Sequence, residues 1–328
     1  MFIKKINIQN FTVFESIEID FCSGVNILIG ENGTGKTHIK KNMYAPLSLQ
    51  YLQGRVPFWE DLFTTDIDED SIPHFKRNAS KDFEIKIYFD SVKEFINING
   101  TFSFTKCNTS SVFIPATEML SHSKGLLALD RERRIPFDKT LIDIVAKAQM
   151  GEAKQISPAS EKIIDILSQT IDGKVVYSND TFYIVKKNGL KVEFSMEAEG
   201  LRKLGILWKI IRNGLLNEEA ILFWDEPEAN INPQLIPKVV EVLLELQRSG
   251  VQIFIATHDY NLAKYFEVYR KSEDKVLYHS LFKTDNGVKA KVALRYQDIY
   301  NNPIEKANEI LYNHILDKAA EEVEDERM

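Results

Sequence analysis

A glycine-rich segment, GENGTGKTH at residues 30–38, limits most strongly what this chain can fold into. It holds three glycines in six residues and is followed at once by Lys36 and Thr37. Glycine is costly to order, so such a cluster indicates unusual backbone angles or close approach to a ligand. An apolar run at residues 25–29 precedes the segment, and a helical pattern follows it. The sequence therefore predicts a loop between a buried strand and a helix.

The spacing within this loop fits G-x-x-x-x-G-K-[ST], the pattern of a phosphate-binding loop. In such a loop, backbone N–H groups turn toward the phosphates of a nucleotide, and the next helix points its positive end at them. Lys36 is expected to bridge the β- and γ-phosphates, and Thr37 to bind Mg²⁺ through its hydroxyl. The predicted nucleotide-binding residues of the loop are Gly30, Glu31, Asn32, Gly33, Thr34, Gly35, Lys36, Thr37 and His38.

Predicted helices and strands alternate in the C-terminal third of the chain, which is typical of an α/β sheet. They lie at about residues 201–213 (helix), 220–224 (strand), 234–249 (helix) and 251–256 (strand). Before them, residues 138–149 and 159–171 have helical spacing, and residues 174–195 predict a small antiparallel sheet with a hairpin turn at Asn188-Gly189.

Two carboxylates, Asp225 and Glu226, directly follow the apolar strand at residues 220–224. An aspartate at this point can hold the hydration shell of Mg²⁺, and a glutamate directly after it can orient and deprotonate an attacking water. A strand that simply ends in a polar turn is the alternative, and the phosphate-binding loop argues against it. We predict Asp225 as a metal ligand and Glu226 as the general base.

The next predicted strand ends in Thr257-His258-Asp259. A histidine at this point can hydrogen-bond the γ-phosphate and report whether it is present. A lone histidine is more often structural, but the position of His258 on the strand after the acidic one favours a functional role. We predict His258 as a second catalytic residue.

Together these segments resemble the ABC-type ATPase head of the RecF, SMC and OLD-like AAA-ATPase group. The opening layout of strand, NFTVF, strand and GENGTGKT is similar to the start of those proteins. Residues 225–233 resemble their Walker B motif and D-loop, and residues 257–259 their H-loop. The resemblance covers about residues 1–45 and 195–260. It implies an α/β fold of the P-loop NTPase class, with a mixed sheet flanked by helices.

The resemblance also implies a division of the chain into three parts. Residues 1–115 form an N-terminal lobe with Walker A, and residues 116–195 a helical and β insertion that acts as a lid. Residues 196–328 form a C-terminal lobe with a signature-like helix, Walker B, D-loop and H-loop.

In that group, two heads close face to face around two ATP molecules, and a signature helix of each head completes the site of the other. The matching place here is residues 198–203, where Gly200 is retained and Ala198 or Glu199 replaces the family's serine. Gly200 is therefore expected to contribute to nucleotide binding. Loss of the serine hydroxyl predicts slow hydrolysis.

The Q-loop position of the family falls near Glu118, which follows the predicted strand at residues 111–115. We predict Glu118 as a further ligand of Mg²⁺. The alternative is a carboxylate that caps a helix and is stabilised by the helix dipole.

Charge and composition exclude some classes of function. The net charge of −7 argues against a chain that binds nucleic acid over its whole surface, although a local site for DNA stays open. No segment approaches the run of about 18 apolar residues that a membrane span needs. Cys22 and Cys107 lie far apart without metal spacing, which favours reduced thiols in a cytoplasmic protein.

Stand-alone heads of this group are often paired with a separately encoded effector, such as a nuclease or a toxin, in bacterial phage defence. The resemblance thus implies a cytoplasmic, oligomeric Mg-ATP-dependent ATPase that regulates such an effector. Two alternatives stay open: a DNA-repair ATPase acting on DNA ends, and a transporter ATPase subunit.

Overall fold

The computed structural model describes residues 1–48, 62, 75–90, 95–98, 102–103, 109–133 and 137–325, and Cys107 lies outside them. The strands are β1 Ile3–Phe11, β2 Phe14–Asp20, β3 Val25–Gly30, β4 Glu84–Phe89, β5 Phe95–Ile98, β6 Phe102–Ser103, β7 Ser111–Ile114, β8 Gly173–Ser178, β9 Thr181–Lys186, β10 Lys191–Glu193, β11 Ile221–Asp225, β12 Gln252–Ala256, β13 Val276–Thr284 and β14 Gly287–Ala293. The helices are α1 Lys36–Ser48, α2 Leu126–Arg133, α3 Lys139–Gln149, α4 Pro158–Thr170, α5 Glu199–Arg212, α6 Ile236–Arg248, α7 Tyr260–Tyr269 and α8 Pro303–Asp325.

The central sheet has the strand order β14-β13-β3-β12-β11-β7, in which all neighbours are parallel except the antiparallel edge strand β14. Strands β3, β11 and β12 are buried along their whole length, as expected for parallel strands covered on both faces. Their carboxyl ends meet at one edge, where ligands bind in open α/β sheets. The alternation predicted for the C-terminal third, and the α/β fold class, are confirmed.

Alternate residues of β3 belong to two different cores, because successive side chains of a strand point to opposite faces. Val25, Ile27 and Ile29 pack with buried residues of α3–α7, whereas Leu28 packs with α1 and with the antiparallel sheet β2-β1-β4-β5-β6. The two sheets are also joined by the Gln252 side chain, which both accepts from the N–H of Ile3 and donates to its carbonyl, each at 2.8 Å.

Residues 116–195 contain α2–α4 and the antiparallel sheet β10-β9-β8, so the helical and β content predicted there is confirmed. Helix α3 is attached to α1 through a buried amine. Lys147 Nζ lies 2.7 Å from Asp143 Oδ2, 2.7 Å from the Tyr44 hydroxyl and 2.8 Å from the carbonyl of Ser111. The division of the chain into three parts and the lid role stay predictions.

Candidate nucleotide-binding site

The loop between β3 and α1 depends on its glycines for two separate reasons. Gly33 and Gly35 have φ angles of +76° and +84°, which side chains with a Cβ rarely adopt. A Cβ at Gly35 would also lie 2.3 Å from Phe14 Cζ, and one at Gly30 would lie 2.4 Å from the carbonyl oxygen of Leu281. The loop therefore needs glycine both for its curvature and for its packing on the domain.

The Lys36 amine lies at the centre of this loop. Its Nζ donates to the carbonyls of Gly30 at 2.8 Å and Glu31 at 3.0 Å, and the Thr34 hydroxyl donates to the same Glu31 carbonyl at 2.8 Å. Burial, together with the charge of Lys40, lowers the pKa of Lys36 to about 8. An anion bound in the loop would favour the charged form of this amine.

The end of β11 meets the start of α1 at Asp225. The Thr37 hydroxyl donates to Asp225 Oδ2 at 3.0 Å, and Lys40 Nζ contacts the other carboxylate oxygen, Oδ1. Lys40 also donates to the carbonyl of Trp224 at 3.1 Å, and burial lowers its pKa while Asp225 opposes the shift. Hydroxyl and carboxylate oxygens are ligands that Mg²⁺ prefers, and it usually takes only one or two from a protein. Thr37 and Asp225 therefore fit a nucleotide-bound Mg²⁺.

Glu226 has a φ angle of +44°, which is unusual for a residue with a side chain. Its N–H donates to the carbonyl of Ala256 at 3.0 Å, and its own carbonyl accepts from the N–H of Ala229 at 3.0 Å and from Lys203 Nζ at 3.4 Å. These contacts hold the backbone in the strained conformation at the mouth of the pocket.

A pocket of about 250 Å³ lies above these residues. It is lined by Val13, Asn32, Gly33, Gly35, Lys36, Thr37, His38, Asp225, Glu226, Ala256 and His258. Of the predicted loop residues, Gly30, Glu31 and Thr34 do not line it. Thr34 belongs to the loop, but its side chain is fully buried. The Glu31 carboxylate is exposed and lies 3.7 Å from Lys283 Nζ.

The segment around His258 is fixed by Glu228. Glu228 Oε1 accepts from the Thr257 hydroxyl at 2.7 Å and from the N–H of His258 at 3.1 Å. Burial raises the pKa of the Glu228 carboxyl, whereas partial burial and the charge of Lys36 lower the pKa of the His258 imidazole. At neutral pH, a neutral imidazole therefore faces the pocket beside Lys36.

Glu118, predicted as a further metal ligand, does not line the pocket. Its Oε2 accepts from Arg202 Nη1 at 3.0 Å, and its Oε1 accepts from the N–H of Ser121 at 3.0 Å. The side chain is only 2% exposed. The described contacts of this carboxylate are thus with helix α5 and with a backbone N–H group.

Gly200, predicted to bind nucleotide, also lies outside the pocket of its own chain. A Cβ at Gly200 would lie 3.0 Å from the carbonyl oxygen of Asn230 and 3.1 Å from Ile231 Cα. The neighbouring Glu199 carboxylate accepts from Asn230 Nδ2 at 2.8 Å. The start of α5 is therefore packed on the turn that follows Glu226.

Two residues of the site were missed by sequence reasoning. Lys40 lies four residues after Lys36 and three after Thr37, a spacing that makes its side chain a neighbour of each of them on the helix, so the sequence contained a signal for it. Val13 belongs to the turn between β1 and β2. Its carbonyl accepts a hydrogen bond from Arg77 Nη1 at 3.1 Å. No local pattern indicates that this turn reaches the pocket.

Comparisons with known proteins show which family and which fold the chain shares. The sequence profile described as AAA ATPase domain matches residues 1–203. The DNA replication and repair protein RecF of Cytophaga hutchinsonii is 25% identical over 181 residues, which cover 54% of this chain and 46% of that protein. RecF of Clostridium acetobutylicum is 37% identical over 103 residues, 30% of this chain and 27% of that protein. The matched segments thus span less than half the length of these relatives.

A solved SMC head bound to the C-winged helix domain of ScpA shares the fold. Its TM-score is 0.54 at 14% identity, over 89% of this chain and 98% of that one. Among the helices that the structure describes, none combines the length and the apolar character needed to cross a bilayer.

Proposed function

We propose that this chain, which belongs to the AAA ATPase domain family, binds and slowly hydrolyses Mg-ATP and uses the cycle to change its assembly. The observation that carries this proposal is the contact of Thr37 with Asp225 beside the buried amine of Lys36. It gathers a phosphate-binding cation and two oxygen ligands for a metal at one edge of the sheet.

The proposal gives a task to five side chains that line the pocket. Lys36 binds the β- and γ-phosphates, and Thr37 and Asp225 hold Mg²⁺, which supplies positive charge to the phosphate oxygens. Glu226 orients the attacking water and accepts its proton. His258, held through its backbone by Glu228, hydrogen-bonds the γ-phosphate. The N–H groups of residues 32–37 cradle the remaining phosphate oxygens.

The proposed association of two chains uses the N-terminus of α5. Its N-terminal N–H groups carry partial positive charge that can meet a γ-phosphate held by a second copy. Ala198 offers no hydroxyl there, and the Glu199 carboxylate is held by Asn230 of the same chain. We infer that two heads close on ATP through this helix, with Gly200 allowing close packing, and that the missing hydroxyl keeps turnover slow.

For the output of this cycle, we propose regulation of a separately encoded effector, a nuclease or a toxin, in phage defence. The support is the resemblance of the sequence motifs to heads of this group, together with the net charge of −7, which argues against nucleic acid as the main partner. The second candidate is an ATPase that acts on DNA ends, and the similarity to DNA replication and repair proteins favours a role on DNA.

The first experiment is the solution mass of Glu226→Gln by light scattering, with and without Mg-ATP. A mass that doubles with ATP supports closure of two heads. A monomer under both conditions would exclude nucleotide-driven dimerisation. If the variant is already a fixed oligomer, ATP must act on shape, which small-angle scattering of the same samples measures. Lys36→Met, which lacks the phosphate-binding amine, is the matched control and should not respond to ATP.

A second measurement distinguishes regulation of an effector from action on DNA ends. An ATPase acting on DNA should be stimulated by linear duplexes more than by closed circles, with affinity that falls steeply as salt rises. Regulation of an effector predicts no stimulation by either DNA and stable copurification with one protein encoded by a neighbouring gene. Stimulation by DNA ends without such a partner would overturn the effector proposal.

A further inference from the structure

Lys40 is a charged residue at the edge of the proposed site to which the proposed chemistry gives no task. It lies on α1, and its side chain is completely buried. Its Nζ contacts Asp225 Oδ1, donates to the carbonyl of Trp224 at 3.1 Å and lies 5.7 Å from the centre of the Phe113 ring. A buried ammonium is tolerated only when an anion and hydrogen-bond acceptors satisfy it. Asp225 supplies that anion.

The same carboxylate is thereby held from both sides. Lys40 contacts Oδ1 from the interior, and the Thr37 hydroxyl donates to Oδ2 from the pocket at 3.0 Å. A fixed positive charge next to a carboxylate cancels part of the potential that attracts a second cation, and it repels a divalent ion directly. The arrangement therefore opposes metal binding while it keeps Oδ2 turned toward Thr37.

We propose that Lys40 is a positioning residue, an internal cation that fixes the Asp225 carboxylate toward Thr37 and makes nucleotide binding less dependent on Mg²⁺ than it would be without this charge. The inference rests on the proposed function, because it takes Thr37 and Asp225 as the metal ligands. Coupling between two cations is reciprocal, so removal of the lysine charge must strengthen the effect of the metal.

The test compares wild type with Lys40→Met, which retains most of the length and the apolar stem but removes the charge. Thermal unfolding is measured without nucleotide, in EDTA and in Mg²⁺. Wild type should unfold at the same temperature in both, because Lys40 already neutralises Asp225. Lys40→Met should unfold earlier in EDTA and gain at least about 2 °C in Mg²⁺, because Asp225 then binds the metal.

A second readout uses a fluorescent ADP analogue. The ratio of its Kd in EDTA to its Kd in Mg²⁺ should be about five- to tenfold larger in Lys40→Met than in wild type. Lys41→Met is the matched control. Lys41 lies on the same helix and pairs with Asp138, so its loss should leave both the ratio and the response to Mg²⁺ unchanged. Lys40→Gln, which keeps a donor for Asp225 without charge, serves if Lys40→Met does not fold.

Several outcomes overturn the proposal. Folded Lys40→Met or Lys40→Gln that shows the wild-type ratio and no response to Mg²⁺ would leave Lys40 a purely structural residue. A higher unfolding temperature of wild type in Mg²⁺ than in EDTA, without nucleotide, would also overturn it. If neither variant folds, this comparison of wild type in the two conditions is the deciding test. Failure of the proposed function is distinguishable, because it would appear as absence of nucleotide binding by wild type in either condition.

Discussion

Thr37 Oγ1 lies 3.0 Å from Asp225 Oδ2, although 188 residues separate them in the chain. The contact joins the start of α1 to the end of β11, and β12 lies between β11 and the strand that leads into the loop. The hydroxyl and the carboxylate are therefore held together by the order of strands in the central sheet. A substitution that displaces the end of β3 or the end of β11 should therefore change the distance between the Thr37 hydroxyl and the Asp225 carboxylate.

Lys36→Met should strongly weaken nucleotide binding. The Lys36 amine is held in the loop by the carbonyls of Gly30 and Glu31, so it points where the phosphates would lie. Loss of a buried charge-assisted contact to phosphate is expected to raise the Kd for ADP at least about tenfold. Titration calorimetry measures the change.

Lys238→Met is the control for this prediction, because Lys238 is half-exposed on α6 and pairs only with Glu241 among the contacts described. Its affinity for ADP should equal that of wild type. Wild-type affinity in Lys36→Met would contradict the assignment of the phosphate-binding loop.

Nucleotide affinity should fall as the pH rises through about 8. Burial lowers the pKa of Lys36 to about 8, so the free protein loses this proton above that pH. The phosphates bind the charged amine, and binding must then be coupled to proton uptake. The Kd should rise by up to about tenfold per pH unit. Lys36→Arg, whose guanidinium stays charged, should show a flatter profile, and equal profiles for both proteins would contradict the prediction.

The sequence predicted the loop, both carboxylates and His258 because each follows a short apolar strand, and parallel strands bring such positions to one edge. It did not predict the environment of Glu118. The carboxylate could have faced either the metal or a helix, and the choice depends on where α5 places Arg202, which no local pattern indicates. The sequence likewise did not predict the packing of Gly200, because its neighbours belong to the turn at Asn230.

Lys40 shows a further limit of sequence reasoning. A lysine in a helix is ordinarily solvated, so the spacing of Lys40 from Lys36 and Thr37 indicated a place near the site but not a buried charge. Only the position of α1 on β11 shows that its amine meets Asp225 in the interior. Buried polar contacts between distant segments are therefore the part of this site that required the structure.

Glu118→Gln should destabilise the fold without changing the response to Mg²⁺. The carboxylate is 2% exposed and pairs with Arg202, which is itself 18% exposed. Removing its charge leaves a guanidinium without its anion and should lower the free energy of unfolding by about 3 kcal/mol. Denaturant unfolding measures the loss. If the ratio of ADP affinities with and without Mg²⁺ collapses while stability is unchanged, Glu118 contacts the metal instead.

Gly200→Ala should destabilise the protein although alanine favours helices. The added Cβ would lie 3.0 Å from the Asn230 carbonyl and 3.1 Å from Ile231 Cα, and neither backbone atom can rotate away. The gain in helix propensity is at most about 1 kcal/mol and smaller in the first turn, so strain should outweigh it, for a net loss of up to about 2 kcal/mol. Because the displaced turn follows Glu226, turnover should fall while the affinity for ADP is retained. Gly151→Ala, where a Cβ meets no atom within 4 Å, is the matched control and should be nearly neutral. Equal stability of the two variants would show that α5 does not press on this turn.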